Sequence, residues 1–395
     1  MRHLGRAPQW VSISGRVEFP SELSQTYDET MKKSVIEFET EFSNRLNSRS
    51  FFVTPMVVQP RGLDNTGLMC FVNSSFQLLF ASPPFVSFAN FMKLQYPLFS
   101  PQQRKITPAW GALCNFLNDF RFSDCATTDG SFSSLKALDM IENTSSTDTR
   151  KLDKVFGPFS SNRSPRQQED SGEFLSYFLN VLHDELLNLI KLAPIPKDDE
   201  GPWKTEGTGR KNIVVTETQG EFSPLSDLFS SIVRSETLSF KKSRSMNTES
   251  NLVLPLPIIN ITKLEVALSK FVEEEQITDE ISKKTSFMKF PMSLIIGLKR
   301  FSYNDYGLIK LKHIVEYPEI LSLTTLNASE PKNYQLSAVV VHIGNSPTSG
   351  HYVCYGRRFD GTWLLFDDSK VTPLPGDCSY LGLQAYLLLY NRTNK

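Results

Sequence analysis

The chain of 395 residues has few cysteines, and none of them forms a metal-binding pair. The five are Cys70, Cys114, Cys125, Cys354 and Cys378. No Cys-x-x-Cys pair of the kind that holds structural zinc is present, so we predict no metal site and no cofactor. An odd number of cysteines without a secretion signal also argues against a disulfide-stabilised secreted domain. A reducing compartment is therefore expected.

Long apolar runs and an excess of one charge are also missing. Residues 1–10 lack the apolar core of a signal peptide, and no apolar run is long enough to span a bilayer. The 42 basic and 43 acidic residues give a formal net charge of −1. Such a balance predicts no surface for direct binding of nucleic acid or of a membrane. We expect a cytoplasmic protein, with the nucleus as a further location.

The apolar patterns predict mainly helices in the first half of the chain and mainly strands in the second. The clearest helix runs from near Asp170 to Ile190. Its apolar stripe consists of Phe174, Leu175, Phe178, Leu179, Leu182 and Leu186. The last predicted strands cover residues 335–342, 352–357, 362–366 and 384–390. Helices followed by strands indicate the α+β class.

Two segments differ from this pattern. Residues 1–59 are polar and mixed, and we interpret them as an N-terminal extension that is partly helical or disordered. Residues 194–220 contain two stretches without apolar side chains, 197–202 and 205–209, and are predicted to form a mobile loop. The remaining residues, 60–392 apart from that loop, contain the predicted folded domain.

One cysteine lies where its thiol could react. Cys70 follows a glycine-containing loop and begins an apolar stretch with helical spacing. A thiol at a helix start is close to the positive end of the helix dipole and to unpaired backbone N–H groups. Both favour the nucleophilic thiolate. A buried structural cysteine is the alternative and the commoner case, and this segment alone does not decide between the two.

Two segments near the C-terminus contain the other groups of a thiol hydrolase. His351 follows Ser349-Gly350, and Asp367 and Asp368 follow within one hairpin. An upstream cysteine, a later histidine and then an acid is the order expected for a papain-like thiol hydrolase. Of the other histidines, His342 ends an apolar strand and is more typical of a structural residue. A third histidine directly follows the Lys310-Leu311-Lys312 run, and this run predicts that the segment is exposed.

The turn after His351 determines which of the two acids shares its face of the hairpin. Asp360-Gly361 is a strong signal for a two-residue turn. That turn would pair His351 with Lys370 and would place Asp368 on the face of His351. A bulge or a longer loop would select Asp367 instead. Both alternatives stay open at this point.

Taken together, three segments resemble the motifs of the ubiquitin-specific protease family. Residues 61–77 resemble its cysteine box, and residues 349–352 with 363–368 resemble its histidine box. Residues 168–175 resemble a third motif, Gln-x-Asp-Ala/Ser-x-Glu-Phe-Leu. Three separated motifs in the family's order are a specific signal. The resemblance covers roughly residues 60–392.

The resemblance implies a papain-like cysteine protease fold of the α+β class. Its helical thumb would cover about residues 60–192, and its β fingers and β palm about 221–392. The fingers would lack a zinc ribbon, because the cysteines that bind zinc in many relatives are missing. Residues 60–392 would then form the catalytic domain.

The resemblance also implies the roles of five residues. Cys70 would be the nucleophile and His351 the base. Asp367 would orient the imidazole, with Asp368 as the alternative or as a neighbour on the oxyanion side. Asn65 would donate to the oxyanion. The alternative for Asn65 is an asparagine that only shapes the Asn65-Thr66-Gly67 turn.

Four further residues are implied to bind the C-terminal tail of ubiquitin. Asp170 and Glu173 would receive its basic residues, and Gly350 and Tyr352 would line the channel for its Gly-Gly end. Asp-x-x-Glu before an apolar helix is also a capping box, so Asp170 has a structural alternative that is compatible with binding.

The implied function is that of a cysteine-dependent deubiquitinase, which hydrolyses the bond after the C-terminal glycine of ubiquitin on protein conjugates. It would reverse ubiquitination and protect its substrates from degradation. Leu68-Met69 replace the Asn-Thr of many members, which predicts slower turnover. The alternatives are a ubiquitin-binding scaffold and a protease for another ubiquitin-like modifier. One branch of the family also works with an RNA-binding cofactor that carries an NTF2-like domain, engaged through an N-terminal region that is short and unmatched here.

Overall fold

The computed structural model describes residues 42, 56–124, 146–152, 169–192, 214–216, 222–239, 244–278, 281–304, 307–326, 330–346, 349–375 and 384–393. The chain divides into two compact units, residues 1–44 and 45–395. Of the first unit only the helical residue Phe42 is described. Most of the predicted N-terminal extension and of the predicted loop at 194–220 lies outside the described residues. The predicted domain boundaries therefore stay predictions.

The helices lie mainly in the first half of the second unit. They are α1 Cys70–Phe80, α2 Pro83–Gln95, α3 Pro101–Ile106, α4 Pro108–Leu117, α5 Ser171–Leu192, α6 Pro224–Phe229 and α7 Leu264–Phe271. Four of them have proline in the first turn, where its missing N–H leaves no hydrogen bond unmade. Ser82, Ser100 and Ser223 cap three of the four. No helix within the described residues is long and apolar enough to cross a membrane.

The helix predicted from near Asp170 to Ile190 is confirmed as α5, and all six residues of its apolar stripe are buried. Phe178 in this helix contacts Phe76 of α1, with ring centroids 5.2 Å apart. Phe76 also lies 5.2 Å from Phe116 of α4. The helical part of the fold is therefore held together by aromatic side chains, which bury large apolar areas.

Glu185 of α5 stabilises the start of α4. The N-cap residue Thr107 makes no side-chain cap hydrogen bond, and Glu185 accepts the N–H groups of Ala109 and Trp110 at 2.8 and 2.9 Å instead. Burial raises the pKa of this carboxyl to about 7, although the two N–H groups act in the opposite direction. One buried acid thus satisfies two backbone donors that would otherwise lack partners.

The strands lie mainly in the second half of the chain. They are β1 Met56–Val58, β2 Leu63–Asp64, β3 Phe122–Asp124, β4 Thr147–Asp148, β5 Val214–Thr216, β6 Ser231–Ser239, β7 Arg244–Asn251, β8 Leu254–Pro257, β9 Glu275–Thr278, β10 Ile281–Lys289, β11 Ser293–Lys299, β12 Phe301–Asn304, β13 Gly307–Lys310, β14 Ile320–Leu323, β15 Lys332–Ile343, β16 His351–Arg357, β17 Trp363–Asp367, β18 Lys370–Leu374 and β19 Ala385–Arg392. The four strands predicted last correspond to β15, β16, β17 and β19.

Two large sheets correspond to the expected palm and fingers. The palm sheet has the order β18-β17-β16-β15-β19-β11-β8, with β14 pairing with β15, and only β11 and β8 run parallel in it. The finger sheet has the order β5-β7-β6-β10-β9. Helix α1 packs against β16 of the palm sheet. This contact brings the start of the cysteine-box helix to the strand that begins with His351.

Candidate active site

The hairpin formed by β16 and β17 fixes the position of His351 relative to the two acids. Cys354 pairs with Phe366 and Arg357 with Trp363. Arg358 N then donates to Thr362 O at 2.7 Å, so that three residues, 359–361, form the loop. Of the two alternatives, the longer loop is therefore the one that forms, and the register differs by one residue from that of a two-residue turn. Because side chains alternate along a strand, the longer loop puts Asp367 on the face of His351.

The side chains of His351 and Asp367 are directly hydrogen-bonded. His351 Nε2 lies 2.6 Å from Asp367 Oδ1 and 4.0 Å from Asp368 Oδ2. A carboxylate at Nε2 fixes the proton on that nitrogen, since the carboxylate can only accept. Nδ1 then retains its lone pair. The imidazole is thus held in the tautomer that can take a proton at Nδ1.

Asp368 lies in the turn between β17 and β18 and contacts a different set of groups. Its backbone has a φ of +51°, in the left-handed region that aspartate adopts more readily than most residues. Its Oδ2 accepts a hydrogen bond from Asn65 Nδ2, and its Oδ1 accepts one from Asn73 Nδ2, both at 2.8 Å. Two side-chain amides from the cysteine box therefore hold this carboxylate. It lies near the imidazole of His351 but is not hydrogen-bonded to it.

Asn65 uses its two polar atoms differently. Its Oδ1 accepts the backbone N–H groups of Gly67 and Met69 at 3.2 and 3.0 Å and so shapes the loop that leads into α1. Gly67 and Leu68 have φ values of +126° and +53° in this loop. One hydrogen of Nδ2 points to Asp368, and an amide nitrogen carries a second one. The turn-shaping role is observed, and it leaves a donor for another acceptor.

Cys70 is the first residue of α1 and is 2% exposed. The N-cap residue Met69 makes no side-chain cap hydrogen bond, so no side chain of the cap occupies the N–H groups of the first turn. Cys70 is close to Tyr352, the residue after His351. Burial and then the charges of Asp170 and Cys70 raise the pKa of that phenol. The start of α1 and the start of β16 therefore face each other.

The backbones of the two boxes also touch. Leu63 N donates to Asp368 O at 2.9 Å. A Cβ on Gly62 would lie 2.1 Å from Ser369 O, so only glycine permits this approach. The strand before the Cys70 loop is thereby fixed against the turn that carries Asp368.

Gly350 and Tyr352 are both packed against His342. A Cβ on Gly350 would lie 2.3 Å from His342 Nε2, which excludes any larger residue. The ring of Tyr352 lies 4.6 Å from that of His342, and Tyr352 is only 2% exposed. Tyr352 thus lies beneath the site and offers little surface to a substrate. Its predicted place in the lining of a channel stays a prediction.

Asp170 and Glu173 differ in their surroundings. Asp170 Oδ1 accepts the N–H groups of Gly172 and Glu173 at 2.7 and 2.9 Å, which caps α5. Its Oδ2 accepts the hydroxyl of Tyr386, and burial raises the pKa of the carboxyl. Glu173 is exposed. The capping alternative for Asp170 is therefore observed, and Glu173 is the more accessible acid.

His342, for which the sequence favoured a structural role, is a buried residue. It is 1% exposed, and neither ring nitrogen has a hydrogen-bond partner among the described residues. Burial, together with the charges of Lys310 and His351, lowers its pKa to about 4. Of the two histidines, His351 is therefore the candidate base, because its ring contacts a carboxylate.

Within the part of the chain that the structure describes, one group of side chains could hold a metal ion: His351, Asp367 and Asp368. Their atoms already take part in the hydrogen bonds to one another and to Asn65 and Asn73. We therefore assign the group to that network. Sequence reasoning did not assign Asn73 or Tyr386. The signal for Asn73 was its place in the cysteine box, whereas nothing in the sequence pointed to Tyr386.

Comparisons with known proteins identify the family of this chain. The family model described as ubiquitin carboxyl-terminal hydrolase matches residues 61–390. Ubiquitin carboxyl-terminal hydrolase 24 of Arabidopsis thaliana is 30% identical over 84% of this chain and 64% of its own length. Ubiquitin carboxyl-terminal hydrolase 10 of Mus musculus is 28% identical over 86% of this chain and 49% of its own length. The chain thus spans between about half and two thirds of these relatives.

The fold is also similar to that of solved structures. The SAGA Ubp8/Sgf11/Sus1/Sgf73 DUB module bound to ubiquitin aldehyde includes a chain with a TM-score of 0.61 and 20% identity. The match covers 90% of this chain and 74% of that one. This similarity confirms the fold expected from the sequence motifs. With the family model matching most of its length, the chain belongs to the ubiquitin carboxyl-terminal hydrolase family.

Proposed function

We propose that this protein is a cysteine-dependent deubiquitinase that hydrolyses the bond after the C-terminal glycine of ubiquitin on protein conjugates. The observation that carries the proposal is the 2.6 Å hydrogen bond between His351 Nε2 and Asp367 Oδ1, at a strand that packs against the helix of Cys70. A nucleophile, a base and an orienter of that base are the parts a thiol hydrolase needs. Membership of the hydrolase family supports the same assignment.

The first step forms a thioester. Cys70 Sγ gives its proton to His351 Nδ1 and attacks the carbonyl carbon of the terminal glycine. The imidazolium then gives that proton to the leaving amine as the C–N bond breaks. In the second step His351 takes one proton from water as the water oxygen attacks the thioester carbonyl. The imidazolium gives that proton to the Cys70 sulfur as the C–S bond breaks, and the carboxyl group of ubiquitin loses its remaining proton to solvent. Asp367 keeps Nδ1 available for both transfers by holding the proton on Nε2.

The oxyanion of the tetrahedral intermediate would be stabilised by Asn65 and by the backbone N–H of Cys70. Asp368 supports this role, because it accepts one Nδ2 hydrogen of Asn65 at 2.8 Å and thereby orients the second. One such donor contributes about 2.7–4 kcal/mol at the transition state. Asp368 would therefore act on the oxyanion side and not as the orienter of the imidazole.

The tail of ubiquitin would approach between α5 and the loop before β16. Glu173 is exposed at the start of α5 and suits a basic residue of the tail. Asp170 would add its charge from beside it, although both its oxygens accept hydrogen bonds within the protein. Gly350, which has no side chain, would leave room for the Gly-Gly end, with Tyr352 below it.

A ubiquitin probe with a C-terminal electrophile tests this proposal. The wild-type protein should form a covalent adduct at Cys70, and the Cys70→Ala and His351→Ala variants should not. The same experiment with probes built on other ubiquitin-like modifiers decides between modifiers. Binding of unmodified ubiquitin by the wild type, without an adduct and without hydrolysis, would favour the scaffold alternative.

The partners would be ubiquitin and ubiquitinated proteins, and removal of ubiquitin would protect those proteins from degradation. Support comes from the solved neighbour, the SAGA DUB module, which is bound to ubiquitin aldehyde. The proposal includes a cytoplasmic location, with the nucleus as a second one, and the odd number of cysteines supports a reducing compartment. An NTF2-like RNA-binding cofactor is a further candidate partner, which a pull-down with the full chain and with residues 60–395 would test.

A further inference from the structure

Lys310 is a buried lysine that binds two backbone carbonyls. It ends β13 and is 8% exposed. Its Nζ donates to the carbonyl oxygens of His342 and Gly344 at 2.7 and 2.8 Å. Burial, and then the positive charges of Arg300 and Lys312, lower its pKa to about 8. Its partners are thus carbonyl oxygens, which makes it a structural donor at this place.

These two carbonyls lie at the end of β15, next to the start of β16. Ile343 pairs with His351 across the two strands. Gly344 has a φ of +147°, and a Cβ there would lie 2.8 Å from the Cα of Gly350. The backbone that Lys310 binds is therefore in direct contact with the residue before His351.

The side chain of His342 packs closely against the backbone of Gly350. A Cβ on Gly350 would lie 2.3 Å from His342 Nε2 and 2.6 Å from the carbonyl oxygen of Ile343. The ring of His342 is itself packed between Tyr352, at 4.6 Å, and Phe301, at 5.9 Å. A displacement of the carbonyl of His342 would therefore be transmitted to Gly350 and His351.

We propose that Lys310 is a positioning residue for His351, holding the end of β15 so that the imidazole stays between Asp367 and the thiol of Cys70. Lys310 lies in the separate two-stranded sheet of β12 and β13, so it also links that hairpin to the active site. The inference rests on the proposed function, because it concerns the same site. A misplacement of about 1 Å in a catalytic group can cost about 10²-fold in rate.

The test uses a readout that does not need ubiquitin. The rate at which iodoacetamide alkylates Cys70, followed by mass spectrometry of its peptide, is measured between pH 5 and 7.5. The variants are Lys310→Met, which removes the donors, Lys310→Arg, which keeps charge and donors, and Lys312→Met as the exposed control. The values of kcat and KM on a ubiquitin fluorogenic substrate complete the set.

Lys312→Met separates loss of position from loss of charge. Without Lys310 holding it, His351 stabilises the thiolate less, so alkylation of Cys70 should need a higher pH. Removing a positive charge alone would also disfavour the thiolate, and Lys312→Met, which leaves both carbonyl contacts in place, shows how large that effect is. For Lys310→Met we expect the upward shift and a kcat at least about tenfold lower, with KM changed less. Lys310→Arg should restore part of the wild-type alkylation profile and part of the wild-type kcat. Lys312→Met should be close to the wild type in both.

A profile in Lys310→Met that is unchanged, or that is shifted no further than the profile of Lys312→Met, with only a lower melting temperature, would overturn the inference. If Lys310→Met does not fold, Lys310→Gln, which can still donate to one carbonyl, is put through the same measurements with the same criteria. If the wild type does not hydrolyse the ubiquitin substrate, the proposed function fails. The alkylation profiles would still decide on Lys310.

Discussion

Asp367 Oδ1 lies 2.6 Å from His351 Nε2, whereas Asp368 Oδ2 lies 4.0 Å from the same nitrogen. The two acids are neighbours in sequence but belong to different networks. Asp367 projects from β17 to the imidazole, and Asp368 projects from the following turn to Asn65 and Asn73. Their substitution should therefore affect different parts of the reaction.

We expect Asp367→Asn to lower kcat by about 10²–10⁴-fold, because the amide no longer fixes the proton on His351 Nε2. Asp368→Asn should cost less, about 10-fold or somewhat more, because it disturbs the orientation of one oxyanion donor. Steady-state kinetics on a ubiquitin fluorogenic substrate measure both effects. A larger loss in Asp368→Asn than in Asp367→Asn would show that the observed contact is not the one used in catalysis.

The buried imidazole of His342 makes folding stability depend on pH. Burial lowers its pKa from 6.5 to about 4. The contribution of His342 to the free energy of unfolding is fully present above pH 6.5. It is lost as the pH falls towards 4, because the unfolded chain then binds a proton that the folded chain does not. The loss amounts to about 3 kcal/mol at low pH. The free energy of unfolding in urea, compared between pH 7.5 and pH 5, should fall less in His342→Leu than in the wild type.

The comparison between variants is needed because Glu185 acts in the opposite direction. Burial raises its pKa to about 7, so the folded state gains stability from this group as the pH falls from 7 towards 4.5. Glu185 is the same in both proteins, and its contribution cancels in the difference. Equal pH dependence of the wild type and His342→Leu would contradict the assignment of His342 as a neutral buried residue.

Glu185 itself should be essential for stability. In Glu185→Ala the buried N–H groups of Ala109 and Trp110 lose their acceptor, and each unsatisfied donor costs about 1–3 kcal/mol. The neighbour Asp184 is exposed and is the matched control. Asp184→Ala should change the free energy of unfolding by no more than about 0.5 kcal/mol. Similar values for the two variants, measured at pH 7.5, would mean that Glu185 is not the cap of α4.

The elements that the sequence predicts well are those with a strong period. The apolar stripe of α5 and the short apolar runs of β15, β16, β17 and β19 could be located because helical spacing and continuous apolar runs can both be seen in the residue order. The choice between Asp367 and Asp368 could not be made in the same way. It depends on whether the loop after Arg358 has two or three residues, and Asp360-Gly361 is compatible with both.

Contacts between residues that are far apart in the sequence could not be predicted from the local sequence pattern. Lys310, in a run with Lys312, was predicted to be exposed, but it is buried. The prediction was wrong because the carbonyl acceptors of Lys310, at His342 and Gly344, lie more than thirty residues away in the sequence. Tyr386 contacts Asp170 across most of the chain. A single sequence carries no signal for such pairs, since nothing nearby shows which carbonyl or carboxylate will be placed beside them.

The last prediction separates the two acids at the start of α5. Asp170 is engaged by two backbone N–H groups and a phenol, whereas Glu173 is exposed. Asp170→Ala should therefore lower the free energy of unfolding by at least about 1 kcal/mol, because a helix cap is lost. Glu173→Gln should leave stability nearly unchanged and raise KM more than it lowers kcat, because it removes an attraction to the basic tail of ubiquitin that is already made in the bound ground state. Thermal melting and steady-state kinetics on both variants, with Asp184→Asn as the exposed control on the same helix, measure these effects. A KM that changes only in Asp170→Ala, at temperatures where that variant is fully folded, would assign the tail contact to Asp170; an unchanged KM in both would remove this end of α5 from the binding site.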